Sequence, residues 1–214
     1  MTPREHILAV GDLHARHDLL ERLLDELLPT LPPRTRLVFL GDYIDRGPDA
    51  AKVLQRLIDL GRQRPETVFL MGNHERMLLD ALEGVRAPIF LYNGGLETLA
   101  SYGLGPDDIG RLPEAHLDFL RGLRPYYETD AYIFVHAGLR PGVALERQEE
   151  RDLLWIRDEF YDAGPDFAKT VVFGHTPFGQ PLERPGLIGI DTGAVYGNVL
   201  TCLLLPEKRF FSLS

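Results

Sequence analysis

The residues best suited to chemistry lie in Gly41-Asp42-Tyr43-Ile44-Asp45-Arg46-Gly47. Two carboxylates and a guanidinium on one short loop suit a metal ion beside a phosphate. An ordinary turn also uses Asp and Gly, for local conformational reasons. Four other short stretches have the same character: Asp12 with His14, Asn73 with His74, His136, and His175. Each follows an apolar run. A single histidine in such a place is most often structural, and His6, His17 and His116, which fall outside the pattern, read that way. Five strand ends that all carry Asp, Asn or His ask for another explanation. The set offers oxygen and imidazole donors and no thiolate, which suits Mn²⁺, Fe or Zn²⁺. It exceeds what one ion needs. Two divalent ions about 3.5–4 Å apart, bridged by one carboxylate, would use all of it and would acidify a shared water.

The elements that must position these groups are legible in the apolar pattern. Residues 6–11 and 36–40 read as strands buried on both faces. After the first, Leu19/Leu20, Leu23/Leu24 and Leu27/Leu28 recur every four residues, the apolar face of a helix that Pro29, Pro32 and Pro33 stop. The second strand feeds a helix carrying Val53/Leu54 and Leu57/Ile58; a third unit runs from strand 67–71 into a helix with Met77, Leu78 and Leu82. Three strand–loop–helix units in succession predict parallel strands with crossover helices, and in such sheets ligands bind at the strand ends where these loops lie. From about 84 to 125 the breakers Asn93-Gly94-Gly95 and Gly103-Leu104-Gly105-Pro106 separate two short helical patterns, near 96–101 and 114–122. This is expected to be a helical insertion on the active-site side, too short for its own core. Strands follow at 131–135, 170–173, 187–190, 199–205 and 209–213, the last two predicted to pair as a hairpin around Pro206.

Composition narrows the function classes. The 214 residues, 44% hydrophobic and 26% charged, fit one folded domain over 1–214. A net charge of −9 speaks against broad nucleic-acid or membrane-surface binding, and against a nuclease. No apolar run is long enough to span a bilayer, and the start, Met1-Thr2-Pro3-Arg4-Glu5-His6, lacks the apolar core of a secretory leader. The single Cys202 lies in an apolar run, as a buried thiol would, and excludes an internal disulfide; a reducing, cytoplasmic setting is expected.

The short stretches also carry a family resemblance. Gly-Asp-Leu-His (11–14), Gly-Asp-Tyr-Ile-Asp-Arg-Gly (41–47), Gly-Asn-His-Glu (72–75), His-Ala-Gly (136–138) and Gly-His-Thr (174–176) resemble, in order, the signature blocks of the phosphoprotein phosphatase family. Asn93-Gly94-Gly95, Leu154-Trp155-Ile156-Arg157 and Asp191-Thr192-Gly193-Ala194-Val195 are similar to blocks of its bacterial and phage members. The resemblance covers residues 7 to about 205 and implies a four-layer αββα sandwich, two mixed sheets flanked by helices. Carried over by position, it implies that Asp12, His14 and Asp42 bind one metal and that Asp42 bridges to a second held by Asn73, His136 and His175. The metals would most commonly be Mn²⁺. His74 would be the general acid, oriented by Asp45. Arg46, Arg157 and Asn73 would hold the phosphate. Attack would come directly from a metal-bridging hydroxide, with no phosphoenzyme. One departure is Ala15, where the family usually has Gly; a small geometric shift with retained metal binding is expected.

The expected activity is metal-dependent hydrolysis of phosphoserine or phosphothreonine in proteins or peptides. The alternative keeps the metal centre and cleaves the phosphoanhydride of a dinucleoside polyphosphate. A non-catalytic phosphoesterase-like scaffold is disfavoured, because all six ligand positions and His74 are intact.

Overall fold

The computed structural model describes residues 5–163 and 167–214. Residues 1–4, part of the stretch read for a leader, lie outside the described residues. In chain order the main elements are β1 (Ile7–Val10), α1 (His17–Arg22, continued as a wider turn over Leu23–Leu27), β2 (Arg36–Phe39), α2 (Ala50–Gln63), β3 (Val68–Phe69) and α3 (Asn73–Leu82). Next come α4 (Ala87–Phe90), α5 (Leu96–Ser101), α6 (Glu114–Arg121), β4 (Tyr126–Glu128), β5 (Tyr132–Val135), α7 (Glu150–Trp155) and α8 (Asp158–Tyr161). The chain ends with β6 (Thr170–Phe173), β7 (Leu182–Arg184), β8 (Leu187–Gly189), β9 (Leu200–Leu205) and β10 (Arg209–Leu213).

The strands form two mixed five-stranded sheets, ordered β10-β9-β1-β2-β3 and β4-β5-β6-β8-β7. The three predicted units are the parallel run β1-β2-β3, and the predicted hairpin is the antiparallel pair β9-β10. The second sheet has its own parallel run, β5-β6-β8, edged on both sides by antiparallel strands.

Strand alternation explains why the apolar runs are continuous. Ile7 and Ala9 of β1 and Val38 of β2 face inward, packing with Phe134, Val172 and Ile188 of the other sheet. Leu8, Val10, Leu37 and Phe39 face outward, against Leu19, Leu20 and Leu23 and against Val53 and Leu57 of α2. On the far side Val135, Val171 and Phe173 pack against Leu153, Ile156 and Phe160. Each central strand is therefore covered on both faces, which gives the helix–sheet–sheet–helix layering. Cys202 is buried on β9, where loss of hydration pushes its thiol pKa up.

The third predicted strand is shorter than expected. Only Val68 and Phe69 lie in strand register with β2; Leu70 still donates to Phe39 O, and on the opposite edge Arg124 donates to Phe69 O and Met71 donates to Arg124 O. Strands β4 and β7 were not predicted from the sequence.

Candidate metal centre

The parallel strands of both sheets deliver their carboxyl-terminal loops to one place. Asp12 and His14 follow β1, Asp42 to Arg46 follow β2, and Asn73 and His74 open α3 behind β3. His136 follows β5 and His175 follows β6. All five predicted loops converge. Asp12, His14, Asp42, Asn73, His74, His136 and His175 are all buried, none more than 6% exposed. The chain bends sharply to achieve this. His14, Ala15, Asp42, Asp45, Arg46 and His175 all have φ between 42° and 69°, a left-handed region that ordinary side chains resist by roughly 1–2 kcal/mol each. Ala15 at φ 57° explains the usual glycine: the conformation survives, at a cost glycine would not pay.

Asp42 is the hub. Its Oδ1 accepts from His74 N at 3.1 Å and lies 3.4 Å from His136 Nε2; its Oδ2 lies 3.4 Å from His14 Nε2. Burial raises its pKa and the neighbouring histidines lower it, and the lowering wins; the part that survives at neutral pH comes from His74, the one of the four rings whose own pKa is raised. Nitrogen and oxygen atoms of His14, Asp42 and His74 come within 4.8 Å of one another, as do those of Asp42, His136 and His175, so Asp42 belongs to both groups.

The ring hydrogens show what the groups can bind. His14 Nδ1 donates to Ile44 O at 3.0 Å, and His136 Nδ1 donates to Leu40 O at 2.9 Å. Burial lowers the pKa of both rings, His14 to about 3, so each is neutral and its one proton is already used. Each Nε2 then carries a lone pair, which in His14 accepts from Arg46. Yet His136 Nε2 sits 2.9 Å from Asn73 Oδ1, and His175 Nδ1 sits 2.9 Å from the same oxygen. Burial likewise brings His175 down to about 2. The Oδ1 of Asp12 is buried with no hydrogen-bond partner among the described residues. His136 Nε2 and Asn73 Oδ1 thus face each other as acceptors with no proton between them, and such a pair beside the Asp12 oxygen is a fit for a cation.

Beside this cluster, Asp45 Oδ2 accepts from His74 Nδ1 at 2.7 Å, while His74 Nε2 is buried without a hydrogen-bond partner among the described residues, 3.9 Å from Asp42 Oδ2. Burial tends to lower the pKa of His74, but the Asp42 and Asp45 carboxylates outweigh it and raise it above the usual value. At the rim are two exposed guanidiniums. Arg46 donates to His14 Nε2 at 2.8 Å and lies over the Tyr196 ring at 5.6 Å; Arg157 donates to Thr176 Oγ1 at 3.2 Å. The histidines read as structural are elsewhere: His6 pairs with Glu207, His17 lies near Glu21, and His116 meets Tyr102.

Two supporting residues carry more than the sequence disclosed. Glu75, read as a loop support or helix start, accepts from the backbone of Gly72 and Asp42 through Oε2, and of Tyr43 and Ile44 through Oε1, at 2.8–3.3 Å. One fully buried side chain thus organises the whole ligand loop. Glu75→Ala would strand those N–H groups in a dry interior, and the metal-free protein should lose about 3–5 kcal/mol in urea unfolding. A loss below about 1 kcal/mol would mean that water replaces the carboxylate. Thr98, on the helical insertion, contacts Asp45 and was not singled out at all.

Residues 5–197 match the family model for calcineurin-like phosphoesterases. The chain belongs to that family. The phosphoesterase is 32% identical to serine/threonine-protein phosphatase 1 of Salmonella typhimurium, over 92% of this chain and 90% of that protein. It is 30% identical to the asymmetrical bis(5'-nucleosyl)-tetraphosphatase PrpE of Oceanobacillus iheyensis, over 96% and 90%. Its fold is similar to that of a putative diadenosine tetraphosphatase (TM-score 0.76, 24% identity, 99% and 94% of the chains). A yeast protein serine/threonine phosphatase has the same fold at lower identity (TM-score 0.67, 17%, 100% and 81%). The expectation of a metallophosphoesterase related to the phosphoprotein phosphatases therefore holds, and His and Asp groups suited to divalent metals are in place. No helix among the described residues is long and apolar enough to cross a membrane.

Proposed function

We propose that the chain is a phosphomonoesterase acting on phosphoserine and phosphothreonine in proteins or peptides. Asp12, His14 and Asp42 would hold one divalent ion, and Asp42, Asn73, His136 and His175 a second. When bound, such ions supply Lewis-acid stabilisation of a phosphoryl group and lower the pKa of a water. The protein's own groups do the rest. Arg46 and Arg157 grip phosphate oxygens, for which a planar, permanently charged fork is well shaped. Asp45 holds His74 with Nδ1 protonated and Nε2 aimed at the ligand cluster. His74 then gives its Nε2 proton to the departing oxygen.

The observation that carries this reading is the buried Asp45–His74 pair with its free Nε2. Alkoxides are poor leaving groups and need a proton; the phosphate oxygen released from a polyphosphate does not. A built acid is therefore best used on an alkyl ester.

A second reading, cleavage of a dinucleoside polyphosphate, draws on the relatives of that name and on a groove of about 450 Å³ beside the site. The groove is lined by Met77, Val85, Arg86, Ile89, Arg151 and Trp155 together with Arg76 and Asp80, which pair with each other at 2.7 Å, and the Trp155 ring reaches within 6.0 Å of the His175 ring. Arg86 and Arg151 have no carboxylate partner among the described residues, and an anionic nucleotide would suit them. Mn²⁺-loaded protein should turn over a phosphoserine peptide with a kcat/KM at least about 10-fold above that for diadenosine tetraphosphate, and EDTA should abolish both. The reverse preference, lost in an Arg86→Ala/Arg151→Ala variant, would establish the second reading.

A further inference from the structure

The Asp45–His74 pair has a third member contributed by the insertion. Thr98 lies on α5, its side chain fully buried. Its Oγ1 accepts from Asp45 N at 2.9 Å and donates to Asp45 Oδ1 at 2.6 Å. A hydroxyl has one proton. Here the incoming Asp45 N–H occupies a lone pair and the proton goes to Oδ1, so both capacities are spent on one residue. The other carboxylate oxygen, Oδ2, is left to His74 Nδ1. Asp45 itself sits at φ 69°, a conformation that needs holding.

The approach of α5 is also built. Gly94, two residues before the helix, has φ +110°, and a side chain there would run into the backbone nitrogen of Arg46 and the Cβ of Asp45. The turn therefore packs bare against the loop that bears Asp45. Without the Thr98 hydroxyl, Asp45 would keep a buried N–H and a buried carboxylate oxygen with no partner. Rotation of the carboxylate, or its protonation, would relieve that, and either weakens its hold on His74.

We propose that Thr98 is a positioning residue for the general acid, fixing the Asp45 carboxylate that holds the His74 ring in its direction. This rests on the reading of His74 as the acid. The segment that bears Thr98 then has a role in the chemistry itself.

The test uses leaving groups. Full-length, Mn²⁺-loaded Thr98→Val keeps the shape and removes the hydroxyl. It should lower kcat on a phosphoserine peptide by about 10–100-fold, while kcat on 2,4-dinitrophenyl phosphate, whose leaving group needs no proton, falls less than about 3-fold. Metal content should be unchanged, and Thr98→Ser should restore the peptide rate to within about 3-fold of the parent. A purely structural role would depress both substrates together. If the Val variant does not fold, Thr98→Ala is measured in the same way. Equal losses on the two substrates, no loss on either, or no rescue by Ser would overturn the proposal. His74→Asn run in parallel separates the two levels. If that variant discriminates between leaving groups and the Thr98 variants do not, Thr98 is not the positioning residue; if His74→Asn itself shows no discrimination, the acid reading beneath it fails.

Discussion

An Asp42→Asn protein should bind at least one fewer divalent ion per chain than its parent and lose at least about 10³-fold in kcat. The substitution is a strict test because it changes so little else. Asn has the same shape as Asp and tolerates the left-handed backbone, φ 51°, found at this position. What it cannot do is present two anionic oxygens. One side-chain oxygen faces His136 Nε2 and the other faces His14 Nε2, both at 3.4 Å. An amide must turn its NH₂ toward one of those lone pairs, so one of the two groups sharing Asp42 is spoiled whichever way it flips. Because the fold holds the Asp42 carboxyl below its ordinary pKa, removing its charge should cost the metal-free protein some stability at neutral pH, so each protein is compared with and without metal. The contrast should therefore appear on loading. Metal at about 100 times its Kd adds about 2.7 kcal/mol per ion, and the drop in Tm caused by EDTA should be smaller in the variant. Metal analysis of the dialysed proteins and paired thermal scans check both points; an unchanged stoichiometry would remove Asp42 from the bridging position.

The sequence was informative wherever one stretch alone determined the outcome. Ile7 to Val10 and Leu37 to Phe39 are apolar on consecutive residues because both faces of their strands are covered, and that pattern needs no partner to be read. The leucine repeat from Leu19 to Leu28 marks its helix in the same way. Edge strands are different. Tyr126-Tyr127-Glu128 and Leu182-Glu183-Arg184 are half-exposed and short, and only their neighbours Val135 to Ile133 and Gly189 to Leu187 make them strands. The two-sheet layering likewise came from family resemblance, since periodicity cannot say which strand pairs with which. The ligand cluster was legible because strand ends repeat one chemical character. Its supports were not: Thr98 reaches Asp45 across 53 residues, and the four backbone groups gathered by Glu75 leave no mark on residue type. Second contacts of this kind depend on how loops meet, which local pattern does not encode.

Replacing His74 with Asn should separate chemistry from metal binding. The ring is 1% exposed, tethered through Nδ1 to Asp45, and its Nε2 meets no hydrogen-bond partner among the described residues. Asn is smaller and neutral and has no proton to release at neutral pH. If the Nε2 proton goes to an alkoxide, kcat on a phosphoserine peptide should fall by about 10²–10⁴-fold, with KM held within about 3-fold because Arg46 and Arg157 still grip the phosphate. The alternative is built into the same geometry. His74 Nε2 lies 3.9 Å from Asp42 Oδ2, and with His14 these residues form a group that could itself hold an ion. Were His74 a ligand, the Asn protein would lose metal along with activity, and substrates with acidic and with alkyl leaving groups would suffer alike. Direct metal analysis beside rates on a dinitrophenyl ester decides between them. Full metal content with a rate loss confined to alkyl esters assigns the proton to His74; a metal-depleted protein assigns His74 to the cation cluster and leaves the leaving oxygen without its donor.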